Sequence, residues 1–191
     1  MMNKKVFIIH GLETSPNGGW RPWLMAELEK RDVYACALPM PEPDNPVCKE
    51  WIDEISRNVN RNTNDEIYLV GHSLGVPAVL RYLEKDPGGV MIRASVLVAG
   101  PYANTGNKKL DSFFEKEFDF EKIKSRCEHF AVIHGSNDPL VPPEDAKSLS
   151  KCLNAELTII KNGGHLNGSA GIYSLPECLH VLEKTMHLFT G

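Results

Sequence analysis

The pentapeptide Gly71-His72-Ser73-Leu74-Gly75 sets a hydroxyl between two glycines, after the apolar run Ile67-Tyr68-Leu69-Val70 and before the apolar stretch Val76 to Leu83. This order spells a strand, a very sharp turn and a helix, with the serine at the apex of a G-x-S-x-G nucleophile elbow. A turn that tight presses backbone against backbone, so small residues must flank the serine on both sides. A serine hydroxyl is a poor nucleophile at neutral pH. It needs a base within hydrogen-bond reach, and that base needs an orienting carboxylate.

On a strand-turn-helix scaffold of this kind the partners follow the serine in the order acid, then histidine. The aspartates downstream are Asp86, Asp111, Asp119, Asp138 and Asp145, and only Asp138 lies in a loop that leaves an apolar strand, Phe130 to His134. Asp138 is therefore the expected orienting acid; the competing reading is a turn cap before Pro139. Of the seven histidines, His10 and His134 end strands just before a glycine and suit local packing or bonding, while His72 sits inside the elbow. His129, His180 and His187 have no position near a strand end that suits catalysis. His165 follows the last strand and two glycines, downstream of both Ser73 and Asp138, and is the expected general base; the competing reading is a surface-loop histidine. Acyl transfer also needs two N–H groups aimed at the developing oxyanion, worth about 3 to 4 kcal/mol each. One is expected from Leu74, after the nucleophile, and the other from Leu12, after the first strand.

These residues must be held by elements that bring distant loops together. Buried-type strands are predicted at Val6–His10, Val33–Leu38, Ile67–Val70, Ser95–Ala99, Phe130–His134 and Leu157–Ile160. Between them, Trp20, Trp23, Leu24 and Leu28 mark a first helix, and Val47, Trp51, Ile55 and Val59 the buried face of a second, with Asn45 as cap and Pro46 at its first position. The helix after Ser73 is apolar almost all round and should be central, ending at Asp86-Pro87-Gly88-Gly89. Pro142-Pro143 opens another helix, and Ser174 with Glu177 reads as a capping box for the last, whose apolar face is Leu175, Leu179, Leu182, Met186 and Phe189. Alternating strands and helices imply a doubly wound α/β fold, a sheet of about six parallel strands flanked by helices, whose ligands gather at the carboxyl ends of the strands. One domain, 1–191, is expected, with 101–128 as a lid-like insertion over the strand ends. Phe113, Phe114, Phe118 and Phe120 in that insertion read as core rather than substrate contacts.

The 191 residues are 42% apolar and 24% charged, ordinary for a globular protein. A formal net charge of −4 without a block of Lys and Arg argues against nucleic acid or an anionic membrane as partner. The apolar run after the N-terminal lysines is too short for a signal peptide, and a cytoplasmic location is expected. Five scattered cysteines without a C-x-x-C pair suit reduced, mostly buried thiols. No P-loop, dinucleotide fingerprint or metal-ligand spacing is found, so no cofactor and no metal are expected.

With these residues in place, the chain resembles the α/β-hydrolase superfamily, and within it the small serine hydrolases typified by retinoblastoma-binding protein 9. The likeness rests on the early His10-Gly11 strand end, Trp20-x-x-Trp23, Met40-Pro41-Glu42-Pro43 with Trp51 beyond it, the elbow, Phe120-Glu121-Lys122-Ile123-Lys124, Asp138-Pro139 and Gly164-His165. It implies a minimal lid, a Ser73, Asp138 and His165 triad, and hydrolysis of small acyl esters or amides. His10-Gly11-Leu12-Glu13 departs from the more glycine-rich oxyanion loop of some relatives. The leading expectation is a carboxylesterase-like serine hydrolase. The alternatives are a non-catalytic protein-binding member of the fold, and an aminopeptidase or thioesterase using the same triad.

Overall fold

The computed structural model describes residues 3–59, 65–85 and 90–188. Strands β1 (Lys4–Ile9), β2 (Tyr34–Leu38), β3 (Glu66–His72), β4 (Ile92–Val98), β5 (Cys127–Gly135) and β6 (Glu156–Ile160) form one sheet in the order β2-β1-β3-β4-β5-β6. Every neighbouring pair is parallel. The helices are α1 (Arg21–Glu29), α2 (Cys48–Asn58), α3 (Gly75–Lys85), α4 (Phe120–Lys124), α5 (Pro143–Leu153) and α6 (Pro176–Met186).

Strand alternation sorts the apolar residues into two layers. Phe7, Ile9, Ile67 and Leu69 face the α2, α3 and α5 side, where Trp51, Ile55 and Leu149 are buried. Val6, Ile8, Tyr68 and Val70 face the α1 and α6 side, with Leu24, Leu28 and Leu182. Burying each such aliphatic side chain contributes about 1.5–3 kcal/mol. The chain leaves β1 for α1 on one face and leaves the adjacent β3 for α3 on the other, so a crevice opens where the winding reverses. Ser73 lies directly after β3, at that crevice.

Several local expectations are corrected. β6 is a half-exposed edge strand rather than a buried one: Leu157 and Ile159 are 36% and 41% exposed, and among the described residues no strand pairs with its outer side. α2 starts at Cys48 with Val47 as its cap and no side-chain cap bond, which leaves Asn45 and Pro46 outside it and Val47 exposed. α6 starts at Pro176 after Leu175, again with no side-chain cap bond, so Ser174 and Glu177 do not form the expected box. Trp20 caps α1 instead of lying within it. Residues 60–64, the stop signal at 86–89 and Phe189 fall outside the described residues.

α3 runs through the centre with Gly75 to Glu84 all buried, including the ion pair of Arg81 with Glu84 at 2.7 Å. Arg81 also donates from Nε to the Phe113 carbonyl at 2.8 Å and from its terminal nitrogens to the carbonyls of Lys116 and Glu117. Its guanidinium lies 3.9 Å over the Phe118 ring, and Glu84 Oε1 accepts from the Asp119 N–H at 2.8 Å. These contacts fasten the 113–119 segment to α3. Phe113 is fully buried and meets Trp51 edge to face. Among the described residues no helix is long and apolar enough to cross a membrane.

Candidate active site

The elbow is as tight as its glycines require. Ser73 sits at φ 55°, in the left-handed region that a residue with a side chain rarely adopts, and its N–H donates to the Val98 carbonyl at 2.9 Å. A Cβ on Gly75 would stand 2.2 Å from the Ile9 carbonyl oxygen, and one on Gly71 would stand 2.6 Å from the Gly75 oxygen. The packing of β1 against the start of α3 therefore excludes a side chain at Gly75, the close approach of α3 to β3 excludes one at Gly71, and the hydroxyl is left projecting at the carboxyl end of the sheet.

Two further strand ends converge on it. His165, in the loop after β6, places Nε2 2.9 Å from Ser73 Oγ and Nδ1 2.7 Å from Asp138 Oδ2. With the proton on Nδ1 donated to the carboxylate, Nε2 is free to accept from the hydroxyl. The other Asp138 oxygen accepts the N–H groups of Leu140 at 2.8 Å and Val141 at 3.1 Å. Turn cap and histidine partner are thus the same residue, each role taken by one oxygen. Burial by itself would raise the Asp138 carboxyl, but the His165 ring and the two N–H groups outweigh it and hold the carboxyl below the usual carboxylate range. Asn137 Oδ1 accepts the Gly164 N–H at 2.9 Å, and a Cβ on Gly135 would stand 2.0 Å from the Gly164 oxygen, so the loops after β5 and β6 lie in direct contact.

A pair of side chains that sequence reasoning left outside the site holds the His165 loop from below. His72 donates from Nε2 to the His165 carbonyl at 3.0 Å, and Trp20 donates from its indole N–H to the next carbonyl, Leu166, at 2.8 Å. The two rings meet edge to face with centroids 5.8 Å apart. Burial foremost, and then the neighbouring His165, push the His72 imidazole down to about 3, so it stays a neutral donor across the ordinary pH range. The only sequence sign of this arrangement was a histidine inside the elbow and a tryptophan at the head of a helix.

Leu12 and Leu74 line the same cavity as Ser73, about 940 Å³ in volume, and among the described residues neither N–H donates a hydrogen bond. The loop after β1 touches the serine closely: a Cβ on Gly11 would stand 2.8 Å from Ser73 Cβ and 3.3 Å from Oγ. Arg21 lines the inner wall, and Leu140 and Tyr173, 64% and 65% exposed, form an apolar rim. His10 and His134 are not among the residues lining this cavity, although His134 Nε2 lies 3.4 Å from Asp138 Oδ2. His10 donates from Nδ1 to the Gly11 carbonyl and accepts from the Met40 N–H, and His134 donates to the Val141 carbonyl. Phe113, Phe114, Phe118 and Phe120 do not line this cavity. Among the described residues no group of three or more His, Cys, Asp or Glu side chains is placed to hold a metal ion.

Comparison with known proteins gives the family and the fold. A family model described as serine hydrolase matches residues 6–184. YdeN of Bacillus subtilis is 36% identical over 188 residues, 96% of each chain, and the crystal structure of the ydeN gene product superposes with a TM-score of 0.89 over 97% of this chain and 100% of that one. The serine hydrolase RBBP9 of Rattus norvegicus is 25% identical over 154 residues, 79% of this chain and 80% of its own. Est1E of Butyrivibrio proteoclasticus, solved with ferulic acid bound, shares the fold at 15% identity, with a TM-score of 0.72 over 97% of this chain and 88% of that one. The chain belongs to the serine hydrolase family, within the α/β-hydrolase superfamily.

Proposed function

We propose that this protein is a carboxylesterase that cleaves small acyl esters through an acyl-Ser73 intermediate. The observation that carries this reading is the unbroken hydrogen-bonded line from Asp138 through His165 to Ser73 Oγ, ending in an open cavity. In this reading Ser73 Oγ attacks the ester carbonyl carbon while His165 Nε2 takes its proton. The N–H groups of Leu12 and Leu74 hold the oxyanion, and Asp138 stabilises the imidazolium that forms. Collapse of the tetrahedral adduct breaks the bond to the leaving alkoxide, which receives the proton from His165. A water then repeats the sequence on the acyl enzyme, releasing the acid and restoring Ser73.

Residues 101–128 act in this account as a minimal lid, contributing Pro101, Thr105, Asn107 and Leu110 to the cavity wall. Five unpaired thiols suit a reducing compartment such as the cytoplasm. The test is a substrate panel of short p-nitrophenyl esters, a feruloyl ester, an acyl thioester and aminoacyl amides, run on wild type and Ser73→Ala. Preference for a short oxygen ester, abolished in Ser73→Ala, is expected. Preference for the thioester or amide would reassign the substrate, and equal rates for the two proteins would favour a binding protein that has lost turnover.

A further inference from the structure

The guanidinium of Arg21 is a buried charge that the proposed mechanism does not use. It is 2% exposed, lines the cavity that holds Ser73, and among the described residues has no carboxylate within ion-pair distance. Four other arginines, Arg31, Arg57, Arg81 and Arg93, each contact a carboxylate. Arg81, equally buried, shows how this fold satisfies such a group when its role is structural, with Glu84 at 2.7 Å and an aromatic ring above it. Arg21 Nη2 donates to Thr14 Oγ1 at 3.0 Å and to the Ser15 carbonyl at 2.8 Å, which fixes the head group in place. Its Nε is enclosed without a partner, and no hydrogen bond from Nη1 is found among the described residues. Burial lowers the group only to about 10, so it remains a cation at neutral pH.

An enclosed cation without a counter-ion is costly, because the lost hydration is not replaced. A cavity lined by both this cation and Ser73 is prepared for an anion that arrives with the substrate. Among the described residues no lysine and no second arginine line the cavity, and Glu13, also in its lining, is paired with Lys109 at 2.6 Å. One positive charge beside a neutralised carboxylate suits a monoanion better than a dianionic phosphate. The apolar rim of Leu140 and Tyr173 suits the remainder of a small organic ester.

We propose that Arg21 is a carboxylate-binding residue of the Ser73 cavity, and that the substrates are esters bearing a second, free carboxylate close to the scissile bond. This deepens the esterase reading and rests on it for turnover, but not for binding.

The test pairs monoethyl glutarate with ethyl 5-methylhexanoate, which has the same branched outline and no charge. Acid release is followed for wild type, Arg21→Gln and Arg21→Lys, and binding to Ser73→Ala is followed by calorimetry. Wild type is expected to prefer the half-ester in kcat/KM by roughly 10- to 100-fold, the scale of one charge-assisted hydrogen bond. Arg21→Gln should bring the ratio near one, and Arg21→Lys should keep part of it. If Arg21 merely braces Thr14 and Ser15, its loss would slow both esters alike and leave the ratio standing, which would overturn the proposal. No preference in wild type would overturn it as well, with the esterase reading intact. Preferential binding of the half-ester to Ser73→Ala, absent from the double variant with Arg21→Gln, would support the site even if wild type turned over neither ester.

Discussion

His72 Nε2–H donates to the main-chain carbonyl of His165 at 3.0 Å, so the residue preceding the proposed nucleophile grips the backbone of the proposed base. Trp20 grips the next carbonyl, Leu166, from the head of α1. The proposed base is therefore held by hydrogen bonds to two consecutive carbonyls as well as by Asp138.

His72→Phe should keep the ring volume and lose the donor. We expect kcat to fall roughly 10-fold with KM little changed, the cost of a base displaced by a fraction of an ångström. His72→Gln, whose amide can donate from a similar place, should recover much of the loss. Steady-state kinetics on a short p-nitrophenyl ester read both, and a parallel loss in the two variants would remove His72 from a positioning role.

The same residue makes stability pH-dependent. The unfolded chain takes up a proton on this imidazole near the ordinary 6.5, whereas burial delays uptake in the folded chain to about 3. The unfolded state thus binds more protons in this window, and stability, complete above 6.5, is lost as pH falls. His10, also lowered by burial, acts in the same direction. The His72 share amounts to about 2 kcal/mol between pH 6.5 and 5. Urea unfolding should show this decline in wild type and a shallower one in His72→Gln; parallel curves would contradict the assignment.

What the chain disclosed in advance, and what it withheld, divides along physical lines. Strands and helices announce themselves by apolar runs and by period, and the order Ser73, Asp138, His165 at three strand ends is readable because each residue is tied to its own strand. Hydrogen bonds between segments far apart leave no such local trace. Trp20 looked like a residue of an amphipathic helix, yet its indole N–H serves a carbonyl 146 positions away. Arg81 in an apolar helix gave no sign of the carbonyls at 113, 116 and 117 that it collects. Leu157 and Ile159 read as core because composition does not say which strand lies at the sheet edge. Helix starts were misplaced where a capping residue was present in sequence but another geometry prevailed, as at Asn45 and Ser174.

Gly75→Ala tests the elbow as a packing device. Its Cβ would meet the Ile9 carbonyl oxygen at 2.2 Å, and backbone on both sides leaves little room to relax. We expect a loss of about 2–3 kcal/mol or more, with a fall in Tm of roughly 5–10 °C by calorimetry. An unchanged Tm would mean that β1 and α3 can separate.

Asp138→Asn separates the two roles of the carboxylate. The amide oxygen can still accept from Leu140 and Val141, so the turn should persist, but the His165 ring loses the acceptor that fixes its tautomer. A drop in kcat of roughly 10³ to 10⁴ with near-normal Tm is expected. A drop below tenfold would take Asp138 out of the triad.

The central claim, that Ser73 is an activated nucleophile, is tested most directly by covalent labelling with a fluorophosphonate, followed by peptide mapping, on wild type, Ser73→Ala, His165→Ala and Asp138→Ala. The account predicts labelling confined to Ser73, absent in Ser73→Ala, and strongly slowed without His165 or Asp138. Failure of folded wild type to label, or labelling at an undiminished rate without His165, would contradict it.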